Sequence, residues 1–191
     1  MIVNYSRSEM LQIWRRCAGL EPSASSCTVE RFDGIDVDTR LEGLMRLWYL
    51  ALLDEGDINL AGAPADATEL VTPLPPGDDS RIATLICAPA VRRLCTIRLS
   101  GWKRPATVTD RRNDLYGTAL QDNRYSRAGA VTPIAWFDGD GTVYATPAGP
   151  ETTVVSATAY IDNGTDSYRL DERALATIHA FLKQTSTPLT L

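Results

Sequence analysis

The chain has one histidine, His179, in 191 residues. A serine or cysteine nucleophile would have to share that single imidazole, and no Gly-x-Ser-x-Gly elbow is present. His179 falls in a helical stretch near the C-terminal end, where a lone histidine reads as structural. The four cysteines, Cys17, Cys27, Cys87 and Cys95, include no CxxC pair, and a zinc site needs closer spacing or histidine helpers. We read them as small, mostly buried apolar residues of a reducing compartment. Neither GxGxxG nor GxxxxGK[ST] occurs, so the usual phosphate cradles are missing. The longest strongly apolar run, Leu47 to Leu53, is far short of the roughly 20 residues that cross a bilayer. The opening residues turn polar and charged by Ser6-Arg7-Ser8-Glu9, where a signal peptide would carry its apolar stretch. The expectation is a chain without a membrane span that folds in a cytoplasm.

Lysine is also scarce: 17 of the 19 basic residues are arginine, the side chain better suited to bidentate pairing. The net charge of −5 conceals an asymmetry. Residues 81–127 carry ten basic against three acidic residues, a net +7, whereas residues 1–80 carry −8 and residues 128–191 carry −4. A basic centre between acidic flanks suits head-to-tail association with copies of the same chain, or a strip presented to phosphate.

Hydrophobic periodicity predicts helices at both ends. Ser6 and Glu9 form a capping-box pattern ahead of Met10, Leu11, Ile13, Trp14, Cys17 and Ala18, ending at Gly19. A Ser-rich connection follows over residues 21–35. Thr39 and Glu42 offer a second capping box, leading a helix whose apolar residues from Leu41 to Leu52 cover more than one face, as in a central buried helix. Asp171 is expected to cap a C-terminal helix carrying Ala174, Leu175, Ile178, Phe181 and Leu182.

Between them the period becomes two. Segments 68–74, 82–88, 94–100, 106–109, 132–137, 142–146 and 153–161 read as strands separated by Gly, Pro and Asp. Cys95, Ile97 and Leu99 should share one face, as should Val155, Ala157, Ala159 and Ile161. Phe137-Asp-Gly-Asp-Gly-Thr142 reads as a hairpin turn and not a calcium loop, since the Glu at the twelfth loop position is absent. The fold class is therefore α+β. N-terminal helices (residues 1–66) precede an antiparallel sheet or small sandwich of about seven strands with a C-terminal helix packed on it (67–191).

Asp33, Asp36 and Asp38 could hold Mg²⁺ for phosphoryl chemistry, yet their position ahead of a helix equally suits capping and the helix dipole. No catalytic residue, cofactor or metal site is assigned. The candidate site is instead a surface: Trp102, Lys103 and Arg104 at a strand end, then Arg111, Arg112, Tyr116, Arg124, Tyr125 and Arg127 in the connection from Asp110 to Val131. A connection of that length is commonly functional or mobile. Arginine and aromatic residues anchor protein interfaces, and they also stack on and neutralise single-stranded nucleic acid.

The segments Leu94-Cys-Thr-Ile-Arg-Leu-Ser-Gly-Trp102-Lys-Arg-Pro, Leu115-Tyr116, Gln121-Asp-Asn-Arg-Tyr125-Ser-Arg127 and Pro133-Ile-Ala before a hairpin resemble tailed-bacteriophage head-tail connector proteins, the adaptor or neck rings. The resemblance spans roughly residues 70–162. It differs in the extra C-terminal helix and the Ser-rich connection. It implies a non-enzymatic virion protein, assembled in the host cytoplasm as a homo-oligomeric ring. The implied partners are the portal and neighbouring neck or tail proteins, with DNA passing through the lumen unbound, as an acidic channel allows. The other reading is a soluble bacterial binding module that takes nucleic acid through residues 81–127.

Overall fold

The computed structural model describes residues 1–20, 37–74, 76, 81–110, 121, 123–137 and 142–185. In chain order its elements are β1 (Ile2–Ser6), α1 (Arg7–Cys17), α2 (Val37–Asp54), β2 (Ala65–Asp66), a 3-10 turn (Thr68–Leu70), β3 (Val71–Leu74), β4 (Ala83–Cys87), β5 (Val91–Leu99), β6 (Ala106–Asp110), β7 (Ile134–Phe137), β8 (Thr142–Thr146), β9 (Val154–Ile161), β10 (Ser167–Asp171), a second 3-10 turn (Glu172–Thr177) and α3 (Ile178–Thr185). The fold is α+β, with helices at both ends of the sequence. No helix among the described residues is long and apolar enough to cross a membrane.

The chain divides into two units: Met1–Ala63 with the chain from Asn163 on, and Pro64–Asp162 between them. The C-terminal helix, however, groups with the N-terminal helices and not with the sheet, because Phe181 of α3 packs edge-on against Trp14 of α1, ring centroids 6.1 Å apart.

In the first unit β1 and β10 pair antiparallel, Ile2 opposite Asp171 and Ser6 opposite Ser167. Neither strand has an apolar alternation long enough to be read from sequence. Ser6 then caps α1: its hydroxyl accepts from the Glu9 backbone while Glu9 Oε2 accepts from the Ser6 N–H at 2.8 Å. The Ser6 N–H, and then the Ser6 hydroxyl, which also donates to Glu9 Oε2, hold the Glu9 carboxyl below its ordinary value. The second expected capping box does not form. Helix α2 begins at Val37, so Thr39 and Glu42 lie inside it, and Glu42 accepts from Arg7 Nε at 2.9 Å. Asp38 is held by both Nε and Nη2 of Arg15, which is its structural use; Asp33 and Asp36 lie outside the described residues. Helix α2 buries one face only, Leu41, Met45, Trp48, Tyr49, Leu52 and Leu53. Trp48 meets Trp14 edge-on at 5.9 Å and donates to Thr177 Oγ1, and the Tyr49 hydroxyl joins the Arg169 backbone. The same helix thus contacts α1, β10 and the second 3-10 turn.

The second unit is a mixed eight-stranded sheet in the order β2-β9-β5-β6-β7-β8-β4-β3, curled into a half-barrel. Its edges β2 and β3 are joined by Ala67–Leu70 alone. Seven of the expected segments are present, with residues 68–70 forming the 3-10 turn and the two-residue β2 unforeseen. Six pairings are antiparallel. The exception is β6 beside β7, with Val108 opposite Ala135 in parallel register. A parallel neighbour cannot be reached by a hairpin and needs a crossover of a dozen or more residues, so the long connection after Asp110 has a topological reason. β7 and β8 do form the expected hairpin pair, Phe137 opposite Val143; residues 138–141 lie outside the described set.

Alanine is the commonest interior residue, at Ala67, Ala106, Ala135, Ala145, Ala157 and Ala159, filled out by Val71, Leu85, Leu94, Ile97, Leu99, Trp102 and Val143. The opposite face carries threonine on six strands, Thr72, Thr84, Thr96, Thr107, Thr142 and Thr158, none of them buried. Thr96 and Thr158 hydrogen-bond to each other across β5 and β9 at 2.7 Å. β-branched, half-polar threonine suits the wet side of a sheet. A register shift between Leu94 and Thr96 corrects the expected face of β5: Leu94 joins Ile97 and Leu99 inside, and Cys95 is left half-buried beside the interior. On β9, Ala157 and Ala159 point inward as expected while Val155 is half exposed, and Tyr160 on the other face is buried beneath the Arg93 guanidinium, 4.7 Å from the ring centre.

Two tests follow from this packing. Ala145 is fully buried within the curl, so Ala145→Leu should cost about 1–3 kcal/mol in denaturant unfolding by overpacking; a neutral result would mean that the interior has room to spare. The second concerns Asp171, whose carboxylate accepts from Arg173 Nε at 2.8 Å, the Arg173 backbone N–H at 3.0 Å and the Met1 amino group at 3.2 Å. The Arg173 side chain, then its backbone, holds the Asp171 carboxyl well below the usual range. Its stabilising contribution is therefore complete above the ordinary carboxylate pKa of about 3.9 and is lost as pH falls below it through the depressed folded value. Asp171→Asn should lower the melting temperature at pH 7 and flatten the loss of helical circular dichroism below about pH 4; parallel acid curves for the two proteins would rule out this group.

Candidate interaction surface

β5 ends in a turn that reverses the chain at Gly101, whose φ of 82° lies in the left-handed region that glycine adopts without strain. The Trp102 N–H returns to Leu99 O at 3.1 Å, and Ser100 exchanges hydrogen bonds with Thr153. This reversal sends the Trp102 indole inward. The residue is 3% exposed, belongs to the interior cluster, and donates from Nε1 to Pro147 O at 2.6 Å. Trp102 is thus removed from the expected interface: an indole with its donor satisfied and its rings among aliphatic residues serves its own domain. Lys103 and Arg104, next in sequence, are exposed.

Lys103 N–H donates to Ala130 O at 2.8 Å, which ties this turn to the end of the long connection, three residues beyond Arg127. Residues 123–127 there form a compact turn. Asn123 Oδ1 accepts from the Tyr125 N–H at 3.0 Å, and Asn123 O accepts from Ser126 and Arg127 at 3.2 and 2.9 Å. Gln121 Oε1 accepts from the Ala128 N–H at 2.8 Å, and Ala128 is buried. The turn is thereby fixed at both ends by its own polar groups. Its summit is Tyr125, 96% exposed, with Arg124 and Arg127 exposed on either side. Arg111, Arg112 and Tyr116 lie outside the described residues.

Among the described residues the basic stretch is not one continuous strip. Arg93 sits over Tyr160, and Arg98 Nε donates to Trp102 O at 3.2 Å, so both serve the sheet. The exposed cations at this end of the connection are Lys103, Arg104, Arg124 and Arg127, joined by the half-exposed Val131. Composition could not separate these two groups; the alternation of β5, which places Arg98 beside other outward residues, was the available signal.

Groups that could support chemistry are placed elsewhere. His179 is exposed on α3 rather than within its apolar stripe. Burial pushes the Cys17, Cys87 and Cys95 thiols up from their ordinary values, which suppresses the reactive thiolate. Among the described residues no three His, Cys, Asp or Glu side chains gather as a metal site would require. What the connection offers is a braced turn with a large aromatic and two guanidinium groups in solvent. The sequence matches no protein-family model and has no significant match among curated proteins.

Trp102 and Tyr125 should separate cleanly on substitution. Trp102→Ala is expected to cost about 3–5 kcal/mol of stability, as for other large buried aromatics, whereas Tyr125→Ala should stay within about 0.5 kcal/mol. Chemical denaturation of the two variants measures both, and a strongly destabilised Tyr125→Ala would show that the ring packs within its own chain.

Proposed function

We propose that this chain is a non-enzymatic virion structural protein, a subunit of a phage head-tail connector ring that joins the portal to the tail. The observation that carries the reading is the Tyr125 summit, an almost fully exposed aromatic between two exposed arginines on a turn braced by Asn123 and Gln121. Tyrosine and arginine contribute disproportionately to binding energy at interfaces. A turn already held by internal hydrogen bonds loses little conformational entropy on docking. A ring is built from heterologous contacts, in which a projecting element of one subunit meets a different surface of the next. The charge distribution agrees: the net +7 of residues 81–127 complements the net −8 of residues 1–80 on an adjacent copy. In this reading the segment resemblance to connector proteins, which includes Gln121–Arg127, falls on the element that makes the subunit contact. The protein would assemble in the host cytoplasm and end in the virion, with DNA passing through an acidic lumen that does not hold phosphate.

The same tip favours one other reading, a binding module in which Tyr125 stacks on a base and the arginines neutralise phosphates. The two readings diverge in solution. Arg124→Ala with Arg127→Ala should leave the monomer folded and impair ring formation or docking to the portal. Loss of one interface anchor typically costs about 2 kcal/mol or more, enough to be visible in cross-linking and electron microscopy. Normal rings and virions from the double variant would overturn the interface. The unmodified chain should bind single- and double-stranded DNA only weakly at physiological salt; submicromolar affinity with a steep salt dependence would transfer the tip to the nucleic-acid reading.

A further inference from the structure

Helix α2 has a second face that is partly exposed, with Leu44, Leu50 and Asp54 half-buried along it. Relative to Leu47, at 100° per residue, Arg40, Gly43, Leu44, Leu50, Ala51 and Asp54 all fall within a sector of about 120°, opposite the buried residues Leu41, Met45, Trp48, Tyr49, Leu52 and Leu53. Leu47 is 60% exposed; Arg40, Gly43 and Ala51 are exposed, and Leu44 and Leu50 half-buried. The order of these residues is symmetric about Leu47. Leucines lie three positions away on either side, the small residues Gly43 and Ala51 four positions away, and the opposite charges Arg40 and Asp54 seven positions away.

Gly43 adds an independent observation. It sits inside a helix, where glycine is unfavourable, yet its φ is not positive and a Cβ there would meet nothing within 4 Å. Among the described residues nothing requires its smallness. A neighbour from outside would.

We propose that α2 pairs with α2 of a second copy, antiparallel about a two-fold axis at Leu47. In that arrangement Leu47 meets its own equivalent and Leu44 lies opposite the second copy's Leu50. Gly43 and Ala51 let the backbones approach, and Arg40 faces the opposing Asp54 at both ends of a contact about 21 Å long. The occupant is a second copy, and not an unrelated helix, because the charge pattern complements itself when the helix is reversed. Opposed helix dipoles favour the same direction. The contact buries on the order of 1,000 Å², the low end for a specific interface, so a micromolar pair is expected. The inference goes beyond the ring proposal. It uses a different unit from the Tyr125 tip, and it is isologous and closes at two, where a ring contact is heterologous.

Sedimentation equilibrium of the full chain at 1–200 µM (about the range a weak interface populates) should show a reversible monomer–dimer equilibrium. Leu47→Asp should shift it at least tenfold towards monomer. Gly43→Gln should do the same while raising the melting temperature, because glutamine favours the helix and has open space at this site; a merely structural role for Gly43 would not separate the two effects. Arg40→Asp alone should weaken the pair, and adding Asp54→Arg should restore it. Oxidised Leu47→Cys should cross-link to itself, whereas Arg40→Cys should not, being near the far end of the contact from its own equivalent. The Arg124→Ala, Arg127→Ala protein should still dimerise, which separates this contact from the ring interface. A monomer throughout that range, dimerisation unaffected by Leu47→Asp, or cross-linking of Arg40→Cys in place of Leu47→Cys would each overturn the proposal.

Discussion

Four residues, Ala67–Leu70, connect the two edge strands of the eight-stranded sheet, and the architecture of that unit follows from their shortness. Laid flat, eight strands would separate β2 from β3 by roughly 34 Å, seven interstrand spacings. The chain from Asp66 to Val71 reaches about 18 Å when fully extended, and less with Thr68–Leu70 wound as a 3-10 turn. The sheet must therefore curl. The corner is pinned by hydrogen bonds: Asp66 Oδ1 accepts from the Thr68 N–H and hydroxyl at 3.0 and 2.6 Å, while Thr68 Oγ1 accepts from the Ala157 N–H at 3.1 Å. The Asp66 carboxyl is held below its ordinary value chiefly by the Thr68 hydroxyl.

A tight curl dictates what fills it. Six interior alanines leave room for a few large side chains, among them Leu85, Ile97, Leu99 and Trp102, the mixture of small and large residues that a narrow barrel requires. The shifts in register along β5 and β9 bend those strands at the same time as they select Leu94 over Cys95 for the interior. Edges are handled differently at the two ends. β2 is only two residues long, and β3 contains Pro73, which supplies no N–H donor to an incoming strand. This unit has little to offer a partner through strand addition, which turns attention to its braced loop.

The helical unit is organised by a helix with two uses. One face of α2 gathers α1, β10 and the second 3-10 turn through Trp48 and Tyr49, with Arg7–Glu42 and Arg15–Asp38 holding α1 alongside. The other face is apolar, small and self-complementary in charge. Leu47 and Tyr125 are large side chains that the fold spends energy to leave in water. In the proposed ring contact Tyr125 gains a neighbour, and in the proposed helix pair Leu47 does.

Some of this was legible in the sequence because it depends on local chemistry. The capping box at Ser6, the breaks at Gly and Pro, the inward Ala157 and Ala159 of β9, and the local cap by Asp171, which closes the second 3-10 turn, arise from interactions within a few residues, so spacing alone predicts them. The tertiary structure decided whatever depends on residues distant in the chain. The pairing of β1 with β10 spans nearly the whole sequence and leaves no alternation to read. The parallel β6–β7 pair and the interior position of Leu94 depend on which strand lies next door. Trp102 and Tyr125 look alike as aromatics beside cations, yet one lies beneath a glycine turn with Pro147 as its acceptor and the other stands on a turn with nothing over it. The apolar excess of α2 likewise reads as a mostly buried helix, whereas its neighbours cover one side. Composition reports how much apolar surface a chain carries, but burial is a relation between distant segments, and only their packing assigns it.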